Sequence, residues 1–309
     1  MDAVGAMSGP DQFVRSRDGT PIAVFTSGVG DTAGAQTGAG AGAVDVAPPG
    51  SEAAAPPVLL VHGTTADHLT FRVVAPVLGT RYRLHAMDRR GRGDSGDAPD
   101  AYSIEREFED VAAVADAIAA ETGGKVDVVG HSFGGRCALG AALLTTSIRR
   151  VVCYEGAPPA SRDAASAYEP AWLLPALATD LANDDLEGLL ERFMRTVVGM
   201  DDEGMARFRA DPVWPLRVAA APTILRELVA SNDPIAGLIA LAAVTVPVLQ
   251  VLGSVSFNTF ARNTAALDLR LADGRVVSIE GAAHGAHHTH ASEFAAAIEA
   301  FLDSPGETG

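Results

Sequence analysis

The sequence predicts an α/β fold, a mostly parallel sheet of about eight strands flanked by helices. Apolar, β-branched runs alternate with helix-periodic stretches along most of the 309 residues. Val58-Leu59-Leu60-Val61 is apolar without alternation, as a strand covered on both faces is. At Val126 to Gly135 a β-branched run breaks off at a glycine-flanked serine and an Ala/Leu-rich helical pattern follows at once. That stretch reads as strand, sharp turn and helix.

The elements follow in order. Gln12 to Arg17 and Ile22 to Thr26 are short β-type runs joined by Asp18-Gly19, a hairpin turn pair. Residues 28–57 are Gly, Ala, Pro and Ser with hardly a large side chain, a composition that cannot offset the entropy of ordering, so a mobile surface insertion is expected. The Val58 strand ends in His62-Gly63-Thr64-Thr65. Tyr82 to Met87 is a further strand, ending in Asp88-Arg89-Arg90-Gly91-Arg92-Gly93-Asp94-Ser95-Gly96, which reads as an ordered turn with internally paired charges. Ile104, Phe108, Val111, Val114, Ala115 and Ile118 fall on one helical face. Arg150 to Glu155 gives a strand closing on Gly156-Ala157-Pro158-Pro159. From about Ser161 to Val244 there is helical patterning but no convincing strand, as if several helices were inserted between two strands. Pro247 to Leu252 and Arg275 to Ile279 resume the strand pattern, with helices over Thr259 to Leu271 and Thr289 to Leu302.

Bulk properties narrow the function. A chain of this length, 48% hydrophobic, can bury a large core. It has no apolar run long enough to span a bilayer, and Met1 to Pro10 lacks a basic segment followed by an apolar one, so neither export nor anchoring is expected and a cytoplasmic location is. Its net charge of −16, with 39 acidic against 23 basic residues, opposes nucleic acid and anionic membrane as partners and favours a small molecule. Cys137 and Cys153 are too few for a disulfide scaffold or a cysteine metal site. Oligomeric state is left open.

Gly130-His131-Ser132-Phe133-Gly134 fits G-x-S-x-G, in which a serine on a tight turn needs small residues two before and two after it. The helix that follows aims free N–H groups and the positive end of its dipole at any oxyanion formed there. Alone, the pattern is also met as a Gly-rich turn with an incidental serine. Its companions change that reading: an apolar strand ending in His-Gly, the Asp88 to Ser95 turn, the inserted helical segment, and Gly281-Ala282-Ala283-His284 before the last helix. With these landmarks in this order the chain resembles the α/β-hydrolase fold family from Phe13 to Leu302, residues 28–57 aside. The resemblance implies a core over residues 11–156 and 246–303 and a helical cap over 157–245, inserted before the penultimate strand.

It also implies roles. Ser132 would be the nucleophile and His284 its base. Family members commonly place an Asp after the strand that follows the cap, but this chain has Gly253-Ser254-Val255-Ser256-Phe257 there, and Ser256 cannot supply a full negative charge. Certain haloalkane dehalogenases instead carry a Glu at the end of the strand after the nucleophile helix, as Cys153-Tyr154-Glu155 does here. That strand should lie about 4.8 Å from the elbow strand, so Glu155 is the expected orienting acid. Dehalogenation does not carry over, because it uses an Asp nucleophile. The oxyanion donors would be the N–H groups of Phe133 and Thr64, with Thr65 an alternative to Thr64. Thr65, His131, Trp172 and Trp214, and also Phe71 and Tyr154, are candidate pocket residues; His62 and His131 otherwise read as structural hydrogen-bonding groups. A metal cluster of His284, His287, His288 and His290 is the rival reading, disfavoured by mixed spacing, and the last three read as surface or pocket-rim residues. No metal or cofactor is expected. The predicted activity is hydrolysis of an ester, thioester or lactone of a small, largely apolar molecule. C–C hydrolysis, perhydrolysis, acyl transfer and cyclisation on the same residues are alternatives, as is a non-catalytic ligand-binding protein on this fold.

Overall fold

The computed structural model describes residues 9–29, 56–161 and 167–305. Its sheet has strands β1 Gln12–Arg15, β2 Pro21–Gly28, β3 Val58–Val61, β4 Arg83–Met87, β5 Val126–His131, β6 Ile148–Tyr154, β7 Val248–Gly253 and β8 Gly274–Ile279. They lie in the order β1-β2-β4-β3-β5-β6-β7-β8. β2 pairs antiparallel with β1 and β4, and every other pairing is parallel. The expected insertion at 28–57 falls, from residue 30 to 55, outside the described residues.

The α-helices are α1 Ala75–Leu78, α2 Ile104–Thr122, α3 Phe133–Ala141, α4 Leu173–Ala182, α5 Leu186–Phe193, α6 Asp202–Ala210, α7 Trp214–Ala220, α8 Ile224–Ala230, α9 Leu238–Leu241, α10 Asn258–Asp268, α11 Ala286–Thr289 and α12 Ala291–Leu302. Local chemistry sets their ends. Ser103 caps α2 by accepting from the Arg106 N–H, and Gly123, at φ 73°, closes it in the left-handed region. The face of α2 carrying Ile104, Phe108, Val111, Val114, Ala115 and Ile118 is buried as its periodicity predicts.

Two apolar layers cover the sheet. One packs α2 and α3 on it through Phe108, Val111, Cys137 and Leu139, and the other brings in Phe71, Leu78, Phe294 and Ile298. Burying each such large side chain contributes about 1.5–3 kcal/mol. The helices between β6 and β7 have a core of their own, built from Leu173, Leu177, Leu189, Leu190, Phe193 and Ile224.

One expectation about the turn after β4 is corrected here. Its arginines do not pair within the turn; they reach into the protein. Arg90 makes a bidentate pair with Asp110 on α2, at 2.7 Å for both bonds, and a third contact to Asp18 at 3.0 Å. Arg89 reaches Glu107 at 2.8 Å and Glu227 on α8 at 2.7 Å. Both guanidiniums are fully buried, so they need carboxylates from other elements, and two consecutive turn residues cannot supply those.

Candidate active site

The parallel register aligns the carboxyl ends of β3, β5, β6 and β7, where open α/β sheets bind ligands: Val61 lies opposite Gly130, and His131 opposite Tyr154. At the end of β5 the chain turns on Ser132, which has φ 54° and ψ −123°, a strained conformation for a residue with a side chain. The flanking glycines make the turn possible. A Cβ on Gly130 would meet the Gly134 carbonyl oxygen at 2.4 Å, and one on Gly134 would meet the Val61 carbonyl oxygen at 2.3 Å. The Ser132 N–H is tied to the Tyr154 carbonyl of the neighbouring strand at 2.7 Å.

Glu155 follows Tyr154 and also has positive φ, 48°. Its carboxylate is buried and engaged on both oxygens. Oε2 takes His284 Nδ1 at 2.5 Å, and Oε1 accepts the Gly253 N–H at the end of β7 at 2.8 Å. That contact fixes the imidazole with its proton on Nδ1 and leaves Nε2 as the acceptor. Ser256, at the position where an Asp is common, has a buried hydroxyl without a hydrogen-bond partner, and no carboxylate lies beside it in the Gly253 to Phe257 turn. The Phe260 ring stacks on His284 at 4.8 Å between centroids. The loop carrying His284 is pinned from below: the Tyr154 hydroxyl donates to the Ala283 carbonyl and accepts the Ala286 N–H at 2.9 Å, and His131 Nε2 contacts the His284 carbonyl at 3.0 Å.

Ser132, Phe133, Glu155 and His284 share the wall of one cavity of about 350 Å³ with Thr64, Thr65 and His131. This is the size of a small-ligand site. Phe133 opens α3, so its N–H has no intrahelical acceptor. The loop with Thr64 is held by a buried charged network. Arg89 donates to the carbonyls of His62 and Gly63 at 2.9 and 3.1 Å, its own N–H goes to His62 Nε2 at 2.9 Å, and its guanidinium lies 4.7 Å from the centre of the Phe133 ring. Glu227 takes Arg89 at 2.7 Å and Arg92 at 2.5 Å. Burial alone would raise the Glu227 pKa, but the two guanidiniums outweigh it and hold the group below the ordinary carboxylate range.

The opposite wall comes from the segment between β6 and β7. Beyond α5 the helix widens into a π-type turn, Met194–Val198, and Met194, Val197 and Val198 all face the cavity with Phe193, Phe208 and Leu228. Four of the expected pocket residues are placed elsewhere. Trp172 is 54% exposed, Trp214 packs edge-on to Phe208 away from the cavity, Phe71 is core, and the Tyr154 hydroxyl is spent on the His284 loop. Of the residues expected at the surface or pocket rim, His287 and His288 line the cavity, and the buried His287 ring lies 4.4 Å from that of His131 and 4.3 Å from that of His288. Burial pushes His131 and His287 well below the ordinary imidazole pKa, and neighbouring imidazoles add to this, so both are neutral at pH 7. Among the described residues no group of three or more His, Cys, Asp or Glu side chains is arranged to hold a metal ion.

Residues 58–297 match the model of the alpha/beta hydrolase family, and the chain belongs to that family. Among curated proteins it is 30% identical over 263 residues to the pimeloyl-[acyl-carrier protein] methyl ester esterase of Neisseria meningitidis, covering 80% of this chain and 78% of the relative. Among solved structures it is similar to an alpha/beta hydrolase from Sphaerobacter thermophilus, 28% identical with TM-score 0.69 over 92% of this chain and all of that one. The enol-lactonase of Burkholderia xenovorans shares the fold at 19% identity and TM-score 0.69, over 94% of this chain and all of that one.

Proposed function

We propose that this chain is a serine hydrolase that cleaves an ester, thioester or lactone of a small, largely apolar substrate through an acyl-enzyme on Ser132. His284 Nε2 takes the proton as Ser132 Oγ attacks the carbonyl carbon, and Glu155 balances the imidazolium that forms. The N–H groups of Phe133 and Thr64 receive the oxyanion. His284 returns the proton to the leaving oxygen or sulfur, and water then repeats the sequence to release the acid. In this reading residues 11–156 and 246–303 are the catalytic core and 157–245 a cap that supplies the apolar wall.

The observation that carries the proposal is the Glu155–His284 hydrogen bond in a cavity whose wall includes Ser132, held at φ 54° on its turn. The methyl ester esterase likeness supports the ester class. Among the described residues no helix is long and apolar enough to cross a membrane. The buried free thiols Cys137 and Cys153 suit a reducing compartment, and the proposed site of action is the cytoplasm.

The test is a pre-steady-state measurement with 4-nitrophenyl butyrate. A burst of nitrophenol equal to the enzyme concentration, absent from Ser132→Ala, is the expected result when deacylation is the slower step. Loss of all turnover in wild type, or full activity in Ser132→Ala, defeats the proposal.

A further inference from the structure

Resting on the hydrolase reading and extending it, we propose that the substrate carries a carboxylate and that Arg217 is the group that docks it. Arg217 lies on α7, contributes to the cavity wall, and is only 4% exposed. Of its five N–H donors, one is used, by Nη1 on the Thr65 carbonyl at 3.0 Å. Among the described residues it forms no ion pair. Asp67 and Asp211 are near enough to act on its charge, yet both are committed elsewhere. Asp211 pairs with Arg72 and accepts the Val213 N–H, while Asp67 caps the turn at Leu69.

Two of the other guanidiniums on this wall have carboxylate partners. Arg72 has Asp211 and Arg207 has Glu203. Arg136 donates to the Ala157 carbonyl, lies 5.8 Å from the Tyr168 ring centre, and has Glu169 on the same wall close enough to feel its charge. Among the described residues Arg136 likewise forms no ion pair and has a buried Nε without a partner, but its guanidinium lies toward the Tyr168 ring; Arg217 is the buried cation with an unfilled fork that touches the Thr64–Thr65 loop. The nearby imidazoles do not compete for an anion, since burial, with Arg72 and Arg217 adding to it, pushes His288 down to about 4.

A buried guanidinium without a carboxylate is costly, and a ligand carboxylate that takes two parallel N–H bonds removes that cost. Lysine would supply charge without the fork. Thr65 directly follows the proposed oxyanion donor Thr64, so an anion on Arg217 sits on the oxyanion side of the cavity. The body of the substrate then runs along Phe193, Met194, Val197 and Leu228. The substrate class is therefore a carboxylate-bearing ester, thioester or lactone with an apolar body.

The experiment compares mono-4-nitrophenyl glutarate with 4-nitrophenyl butyrate, an anionic and a neutral ester of similar length and the same leaving group. The quantity read is the ratio of their kcat/KM values, which cancels any general loss of active enzyme. Wild type should favour the glutarate ester by about tenfold or more, the range of a charge-assisted hydrogen-bonded contact. Arg217→Gln should bring the ratio to about one, and Arg217→Lys should leave it between the two. A wild-type ratio of one or below overturns the inference without recourse to any variant, as does a wild-type ratio retained by Arg217→Gln; in both cases the hydrolase reading stands. If neither ester turns over and Ser132 takes up no fluorophosphonate, the hydrolase reading fails and this inference with it.

Discussion

Replacing Glu155 by Gln separates a working orienting acid from a carboxylate that merely ends a strand. Both oxygens of Glu155 accept hydrogen bonds, from His284 Nδ1 at 2.5 Å and from the Gly253 N–H at 2.8 Å. A glutamine of the same shape has one acceptor and one donor end, so it can satisfy only one of these groups. If its oxygen stays on Gly253, the amide donor faces Nδ1 and forces the proton onto Nε2, the nitrogen that must accept from Ser132. If the amide turns over, two buried donors oppose each other at Gly253 at a cost of about 1–3 kcal/mol. The first arrangement has the wrong tautomer for a base, which lowers kcat by about 10³–10⁴, equivalent to about 4–5.5 kcal/mol of transition-state stabilisation. The assay is steady-state hydrolysis of 4-nitrophenyl butyrate alongside the rate of fluorophosphonate labelling of Ser132. Both should fall together. Ser256→Ala, at the position where an acid is common in this fold, is the control and should stay within about threefold of wild type. A loss of less than tenfold in Glu155→Gln, or an equal loss in Ser256→Ala, would refute the assignment.

Further perturbations probe the support of the site. Glu227→Gln removes the charge that Arg89 and Arg92 share beside the loop carrying Thr64; breaking such a buried pair costs about 3–5 kcal/mol, so chemical denaturation should show a large drop in stability, and kcat should fall with it. Unchanged stability would show that the network is not needed. Gly134→Ala puts a Cβ 2.3 Å from the Val61 carbonyl oxygen, and backbone cannot yield there as a side chain can; soluble yield and esterase activity should both collapse, and a well-folded active variant would contradict the elbow geometry. His85 lies in β4, outside the cavity wall, and burial pushes its pKa down to about 4. An unfolded histidine protonates near 6.5 while the folded one resists, so the unfolded state binds more protons between about pH 6.5 and 4 and stability falls as pH drops through that window. The contribution is at most about 3 kcal/mol. Thermal melts of His85→Gln should show a shallower decline over that range, and an identical slope would remove His85 from the account.

Much of this architecture was legible because it rests on local pattern. The continuous apolar runs marked β3, β5 and β6, since strands buried on both faces need no polar alternation, and their ends differ from expectation by two residues or fewer. The serine turn was legible because only glycine fits two positions on either side of it. Glu155 was singled out by the resemblance to family members with a Glu at the end of that strand, and the spacing of neighbouring strands made its contact with His284 legible. Within the helical segment between β6 and β7, which residues face the cavity was not legible at this level. An apolar residue there serves either the helix core or the cavity, and the sequence does not say which, so Trp172 and Trp214 were misplaced while Met194 and Val197 went unnoticed. Arg217 and Glu227 were missed for a related reason: their partners Thr65 and Arg89 lie 152 and 138 positions away, beyond any local pattern. His287, read as a surface or pocket-rim residue, does line the cavity, but its burial by α11 against the ring of His131 was not legible from its neighbours.

The central claim is that Ser132 is the nucleophile. Intact-protein mass spectrometry after treatment with a fluorophosphonate, followed by peptide mapping, tests it most directly. One phosphonyl group per chain on the peptide containing Ser132, with loss of esterase activity in proportion and no addition to Ser132→Ala, is the predicted result. Ester turnover that survives the reagent, or a label that maps to a different residue, would contradict the account.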